Sequence, residues 1–150
     1  MSRQIKQTYR IQRSTEDVFD ALLTPSQICT WWFAQTAIVI PEKNGLYAIT
    51  WGEDIDNPDY ISIATISELI RPERLVLSDF QYHSKEGDLP FDTDLQLEFS
   101  LSKENGGTVI TVLQTGFPED ESADGFYNSC VQGWTETMTS FLSVLKEKKL

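Results

Sequence analysis

Residues 125–149 carry the pattern of one long amphipathic helix, and no other feature of the sequence constrains the fold as much. Large apolar side chains recur there at spacings of three and four and so share one stripe: Phe126, Cys130, Trp134, Met138, Leu142 and Leu145. A stripe that contains Phe, Trp and Met needs a wide, concave apolar surface to bury against. A sheet that wraps such a helix often leaves a cavity between the two, and we expect function to be located there.

The composition indicates one globular domain that spans residues 1–150. An apolar fraction of 40% is sufficient for a hydrophobic core in a chain of 150 residues. The sequence has 23 acidic and 12 basic residues, for a net charge of −11. This charge repels nucleic-acid phosphates and anionic lipid, so we expect neither a nucleic-acid partner nor membrane insertion.

The cysteines and the N-terminus indicate a protein of the cytoplasm. Cys29 and Cys130 lie in separate predicted helices without metal-ligand spacing, and no apolar leader or run of bilayer length is present. The acidic loop 53–59 lacks the glycine and the closing glutamate of a calcium loop. We therefore expect no metal and no cofactor.

Ahead of the long helix, the sequence alternates between strand and turn signals. A first strand over 4–12 is followed by two short helices, which begin at the caps Ser14 and Thr24. Six further strands are predicted over 36–40, 46–51, 60–70, 74–82, 93–102 and 108–115, with a loop over 83–92. Short turns such as Asn44-Gly45 join them, which predicts an α+β fold with an antiparallel meander and a final helix over about 122–148.

Six short motifs in this order resemble those of a known family. They are Leu23-Thr24-Pro25 with Trp31-Trp32, Asn44-Gly45-Leu46-Tyr47, Pro72-Glu73-Arg74-Leu75-Val76, Gly107-Thr108, Thr115-Gly116-Phe117-Pro118, and Gly133-Trp134 with Leu142 and Leu145. The chain is similar to the family named for homology to the activator of the Hsp90 ATPase, within the Bet v 1-like, START-related superfamily. The resemblance implies a helix-grip fold, in which a curved antiparallel sheet wraps around the C-terminal helix and two short helices follow the first strand.

The predicted cavity is bounded by aromatic side chains from three regions. Candidates for its wall are Trp31, Trp32, Phe33, Tyr47, Trp51, Phe80, Tyr82, Phe99, Trp134 and Met138. Each of these side chains has an alternative position, either in the packed core or on the outer face of the sheet. Our leading hypothesis for function is non-covalent binding of a small apolar molecule by this wall.

Two alternatives to ligand binding stay open. The first is a protein-interaction module in stress or chaperone pathways, as the resemblance to Hsp90 activators implies. The second is an enzyme like the polyketide cyclases or hydrolases of the wider superfamily, with Asp79 and His83 as proton-transfer residues and Tyr82 or Tyr47 polarising a carbonyl. Asp79 shares parity with Leu75 and Leu77, so regular alternation turns it inward, whereas a twist or bulge in the strand turns it outward. We expect His83 to be exposed.

Overall fold

The computed structural model describes residues 2–87 and 94–147 as one sheet with three α-helices. The elements follow in the order β1 (Ser2–Ile11), α1 (Thr15–Leu23), α2 (Pro25–Trp31), β2 (Thr36–Val39), β3 (Leu46–Trp51), β4 (Tyr60–Ile70), β5 (Arg74–Ser84), β6 (Gln96–Glu104), β7 (Gly107–Pro118) and α3 (Asp124–Glu147). A single 3₁₀ turn, Glu121–Ala123, leads into α3. This is the predicted order, and the α+β helix-grip fold is confirmed.

All strand pairs are antiparallel, and the sheet has the order β1-β7-β6-β5-β4-β3-β2. The meander from β2 to β7 pairs each strand with the next, and β1 closes against β7. Strands β6 and β7 keep the regular alternation that their sequences predict, with Leu97, Phe99, Ile110 and Val112 buried. The apolar face of the sheet is therefore continuous beneath α3.

The two short helices are held by buried hydrogen bonds, and α1 also begins at a side-chain cap. The Ser14 hydroxyl accepts from the backbone N–H of Asp17, and Pro25 stands in the first turn of α2. The Trp31 indole N–H donates to the carbonyl of Ala21 at 2.8 Å, and the Tyr47 hydroxyl donates to the carbonyl of Leu22 at 2.7 Å. These bonds attach α2 and β3 to the end of α1.

Helix α3 lies across the sheet with its predicted stripe turned inward. Trp134, Met138 and Leu145 are buried, whereas Phe126, Cys130 and Leu142 are half-buried and pack against the core. The stripe also contains Phe141, which is completely buried. Across the part of the chain that the structure describes, no helix is both long and apolar enough to cross a membrane.

Strand β5 departs from the predicted alternation at Asp79. The pairing of β4 with β5 shifts register between Ile63 and Thr65, and Asp79 has a φ of 55° at this irregularity. The bulge turns Asp79 to the exposed side and the half-buried Phe80 and Tyr82 to the opposite side. Regular alternation alone would have turned Asp79 inward, and one extra residue reverses that parity. Of the predicted loop 83–92, His83 and Ser84 belong to β5, and residues 88–92 lie outside the described residues.

Candidate functional site

A cavity of about 340 Å³ lies between the inner face of the sheet and the first half of α3. Strands β3 to β7, α3 and the residue that follows α2 contribute its wall: Trp32, Trp51, Tyr60, Ser62, Phe80, Tyr82, Leu95, Leu97, Gln114, Phe126, Ser129, Cys130, Gly133, Trp134 and Thr137. Tyr60 and Ser129 are exposed, so they border the mouth. Gln114, Trp134 and Thr137 are buried and form the floor. The cavity is of the size that small-molecule sites commonly have.

Aromatic rings in contact form two groups in the wall. At the inner end the Trp32 ring lies 5.3 Å from that of Trp134 and 5.9 Å from that of Trp51. Near the mouth, Tyr82 stacks on Tyr60 at 6.1 Å and meets the edge of Phe126 at 6.5 Å. Ring contacts of this kind hold each side chain in one orientation, so the wall presents flat apolar surfaces to the cavity.

Two of the indole N–H groups in the wall are already bonded to protein oxygens. Trp51 Nε1 donates to the carbonyl of Trp32 at 2.9 Å, and Trp134 Nε1 donates to Oε1 of Gln114 at 2.7 Å. These bonds join β3 to the end of α2, and α3 to β7, across the cavity. The wall is therefore held by polar bonds as well as by apolar packing.

Burial raises the pKa values of two groups in the wall, Cys130 and Tyr82. Desolvation raises the pKa of the Cys130 thiol to about 12, and desolvation with the neighbouring Tyr60 raises the pKa of Tyr82 to about 12. Among the described residues that line the cavity, none is Asp, Glu, Lys, Arg or His. No group of three side chains able to hold a metal ion occurs in the ranges 2–87 and 94–147. The arrangement suits binding of an apolar molecule, because it offers no charge and no activated nucleophile at neutral pH.

The structure brings five of the predicted wall residues together at the cavity. They are Trp32, Trp51, Phe80, Tyr82 and Trp134. The other five predicted positions require correction, because Trp31, Tyr47, Phe99 and Met138 are buried in the core and Phe33 is 62% exposed. Trp31 and Tyr47 are held away by their bonds to α1, and Phe33 has a φ of 57° as the chain leaves α2.

Several wall residues were not predicted as site residues. Cys130 and Phe126 belong to the predicted helix stripe, and Gly133 is its neighbour on the helix, so periodicity carried a signal for them. Ser62 shares parity with Tyr60 on β4, and Gln114 shares parity with the buried Ile110 and Val112 on β7. A polar residue at a core-facing position of a strand is a signal by which Gln114 could have been found from the sequence.

The two residues of the enzyme alternative lie outside the cavity. Asp79 and His83 are both exposed and neither contributes to the wall. His83 pairs with Ile61 across β4 and β5, on the opposite side of the sheet from Tyr82. The structure therefore does not bring this pair to the place where a ligand would sit.

The fold and the cavity together define a helix-grip protein with an aromatic-lined pocket. Residues 12–146 match the family model described as "Activator of Hsp90 ATPase homolog 1-like protein", and the chain belongs to this family. The resemblance drawn from the sequence motifs is thereby confirmed. No curated protein is significantly similar to this sequence.

Solved structures with the same fold come from several bacteria. Protein MLL2253 from Mesorhizobium loti is 19% identical with a TM-score of 0.78, and the alignment covers 99% of this chain and 100% of that one. An uncharacterized protein from Rhizobium leguminosarum is 14% identical with a TM-score of 0.79, and the alignment covers 99% and 97% of the two chains. Protein Ms6760 from Mycobacterium smegmatis is 12% identical with a TM-score of 0.75, over 98% and 93%. At these identities the likeness concerns the fold alone.

Proposed function

We propose that this protein binds a small apolar molecule, without covalent chemistry, in the cavity beneath α3. The observation that carries the proposal is the wall rich in aromatic side chains around about 340 Å³ of open space. Apolar surface in contact with this wall leaves water on binding, which is the main favourable term in such a site. The neutral Cys130 thiol fits a binding role, because a protonated thiol is a poor nucleophile.

A variant of α3 whose new side chain fills part of the cavity tests the proposal. Gly133 lines the cavity, and a Cβ added there meets no other atom within 4 Å, so the Gly133→Leu side chain would enter the open space. Gly125 is the matched control, because a Cβ on this residue of the same helix also meets nothing within 4 Å and Gly125 does not line the cavity.

N-phenyl-1-naphthylamine, a neutral apolar fluorophore, serves as the probe. We expect saturable binding at one site per chain, weakened roughly tenfold or more by Gly133→Leu and unchanged by Gly125→Leu. Absence of saturation, or equal affinity in both variants, would contradict the proposal. Circular dichroism of each variant establishes that the fold is retained.

Protein interaction is a second candidate function, favoured by apolar side chains on the edge strand β2. Ile38 is 59% exposed and Ile40, which follows the strand, is 45% exposed. An apolar strand at the edge of a sheet is suited to contact with another protein. If the partner is Hsp90, calorimetric binding to purified Hsp90 is lost in the Ile38→Lys and Ile40→Lys double variant and kept in Gly133→Leu. Absence of binding by the unmodified chain rules out Hsp90 as the partner.

A further inference from the structure

The floor of the cavity has one polar group whose bonding capacity is only half used. Gln114 is 9% exposed, and its Oε1 accepts the indole N–H of Trp134. Indole nitrogen is a donor only, so the atom that faces it must be the amide oxygen, which fixes the orientation of the amide. The Nε2 group of Gln114 consequently points elsewhere, with both of its N–H donors.

Those two donors are unused within the part of the chain that the structure describes. No hydrogen bond from Nε2 of Gln114 reaches a described residue, and this nitrogen is not among the fully enclosed unpaired atoms. Since Gln114 lines the cavity, the group keeps its access to the open space there. The hydroxyl of Thr137, also on the floor, likewise bonds to no described residue. A donor that faces open space can bond to water in the free protein and would lose that bond when an apolar ligand fills the cavity. A ligand acceptor at this point keeps the donor paired.

The charge of the protein defines the ligand further. A carboxylate or phosphate in the cavity would meet no cationic side chain among the described wall residues and would approach against a net charge of −11. A cation would meet aromatic faces, but the amide nitrogen of Gln114 on the floor is a donor only and repels an ammonium group. A neutral acceptor, such as a ketone or amide carbonyl, satisfies both conditions.

We infer that the ligand is a neutral, largely apolar molecule with a carbonyl-type acceptor at its inner end, and that Gln114 recognises this acceptor. The inference rests on the proposed function and specifies its ligand class. The apolar body of the ligand follows from the aromatic side chains of Trp32, Trp134 and Tyr82 in the wall of the cavity. Gln114 is thus a specificity-determining residue.

Two tricyclic probes that differ in one group test the role of Gln114. Fluorenone carries a carbonyl where fluorene carries a methylene, and calorimetry gives the affinity of each. We expect fluorenone to bind roughly tenfold more tightly than fluorene. Gln114→Met should reduce this ratio to about one, because methionine offers no donor to the carbonyl. Thr137→Val removes the hydroxyl and keeps the shape of the side chain. A lower ratio of fluorenone to fluorene affinity in this variant measures the contribution of the Thr137 hydroxyl.

Probes of matched shape test the preference for a neutral ligand. Fluorene-9-carboxamide should bind at least tenfold more tightly than fluorene-9-carboxylate and than 9-fluorenylmethylammonium. Equal affinity of unmodified protein for fluorene and fluorenone, or tightest binding of either ion, would overturn the inference while leaving the proposed function intact. If none of these probes and no N-phenyl-1-naphthylamine binds, the proposed function itself is wrong. If Gln114→Met does not fold, the ratio of fluorenone to fluorene affinity in the unmodified protein tests the inference by itself.

Discussion

The indole N–H of Trp134 donates a 2.7 Å hydrogen bond to Oε1 of Gln114, which joins α3 to β7 at the floor of the cavity. Both residues are buried, so loss of either partner leaves the other without its bond in a dry environment. The same bond orients the amide whose other end faces the cavity. The bond therefore contributes both to the packing of α3 on the sheet and to the orientation of the polar group that faces the cavity.

This bond predicts coupling between the two residues. We expect Trp134→Phe and Gln114→Met each to lower the free energy of unfolding by about 1–3 kcal/mol, with the double variant less destabilised than the sum by about 1 kcal/mol. Urea unfolding followed by circular dichroism gives all four values of the cycle. Strict additivity would show that the bond contributes nothing.

The hydroxyl of Tyr47 is predicted to contribute to stability and not to ligand binding. It donates to the carbonyl of Leu22 inside the core, so Tyr47→Phe leaves a buried carbonyl unpaired and should cost about 1–2 kcal/mol. Tyr127→Phe is the control, because the Tyr127 hydroxyl bonds to the carbonyl of Gln4 at an exposed site and its loss should cost far less. Affinity for N-phenyl-1-naphthylamine should stay unchanged in both variants. Reduced affinity in Tyr47→Phe would contradict the placement of this side chain outside the cavity.

The overall fold could be predicted because its patterns are regular over many residues. The stripe on α3 and the alternation in β6 and β7 each repeat several times, and turn signals such as Asn44-Gly45 separate the strands. The membership of the cavity wall could not be predicted in the same way. Trp134 and Met138 lie one turn apart on the same stripe, yet only Trp134 lines the cavity. The spacing between helix and sheet decides this difference, and periodicity carries no information about that spacing.

A single residue in an irregular conformation limited the prediction for β5. The positive φ of Asp79 reverses the parity of the residues after it, so Phe80 and Tyr82 turn toward α3. Likewise, the hydroxyl of Tyr47 is held by a carbonyl that lies 25 positions away in the sequence. Local pattern does not encode contacts of this kind.

The conformation of Asp79 leads to a prediction about substitution. A β-branched residue is strained at a φ of 55°, so Asp79→Val should lower the free energy of unfolding by about 1–2 kcal/mol. Asp79→Gly should be neutral or stabilising, because glycine adopts this conformation without strain. Urea titrations of the two variants against the unmodified protein measure both effects. Equal stability of the valine and glycine variants would show that the bulge is not maintained.

The raised pKa of the Cys130 thiol predicts a loss of stability at alkaline pH. The thiol has an ordinary pKa of 9.0 in the unfolded chain and about 12 in the folded protein, where burial disfavours the thiolate. Because the folded thiol holds its proton more tightly than the unfolded one, this contribution to stability is complete below pH 9. As the pH rises from 9 to 12 the free energy of unfolding falls, by up to about 1.4 kcal/mol per pH unit. Tyr82, whose pKa rises from 10.0 to about 12, contributes in the same direction at higher pH.

Urea midpoints measured between pH 8 and 10.5 check this dependence. Cys130→Ala should lose stability less steeply with pH than the unmodified protein, whereas Ser129→Ala, next to it on the wall, should follow the unmodified protein. Parallel curves for all three proteins would mean that the folded thiol titrates as it does in the unfolded chain.

Glycine at position 133 is predicted to lower the stability of α3 while keeping the cavity open. In the middle of a helix, glycine costs about 1 kcal/mol relative to alanine, and a Cβ at Gly133 would meet no atom within 4 Å. Gly133→Ala should therefore raise the free energy of unfolding by about 1 kcal/mol. It should also weaken binding of a ligand that fills the cavity, because the methyl group takes up part of the space. Gly125→Ala, in the first turn of the same helix, should raise stability by less and leave binding unchanged. Thermal unfolding and probe titration of the two variants separate the effects, and tighter binding by Gly133→Ala would show that the space beside this residue is not occupied by ligand.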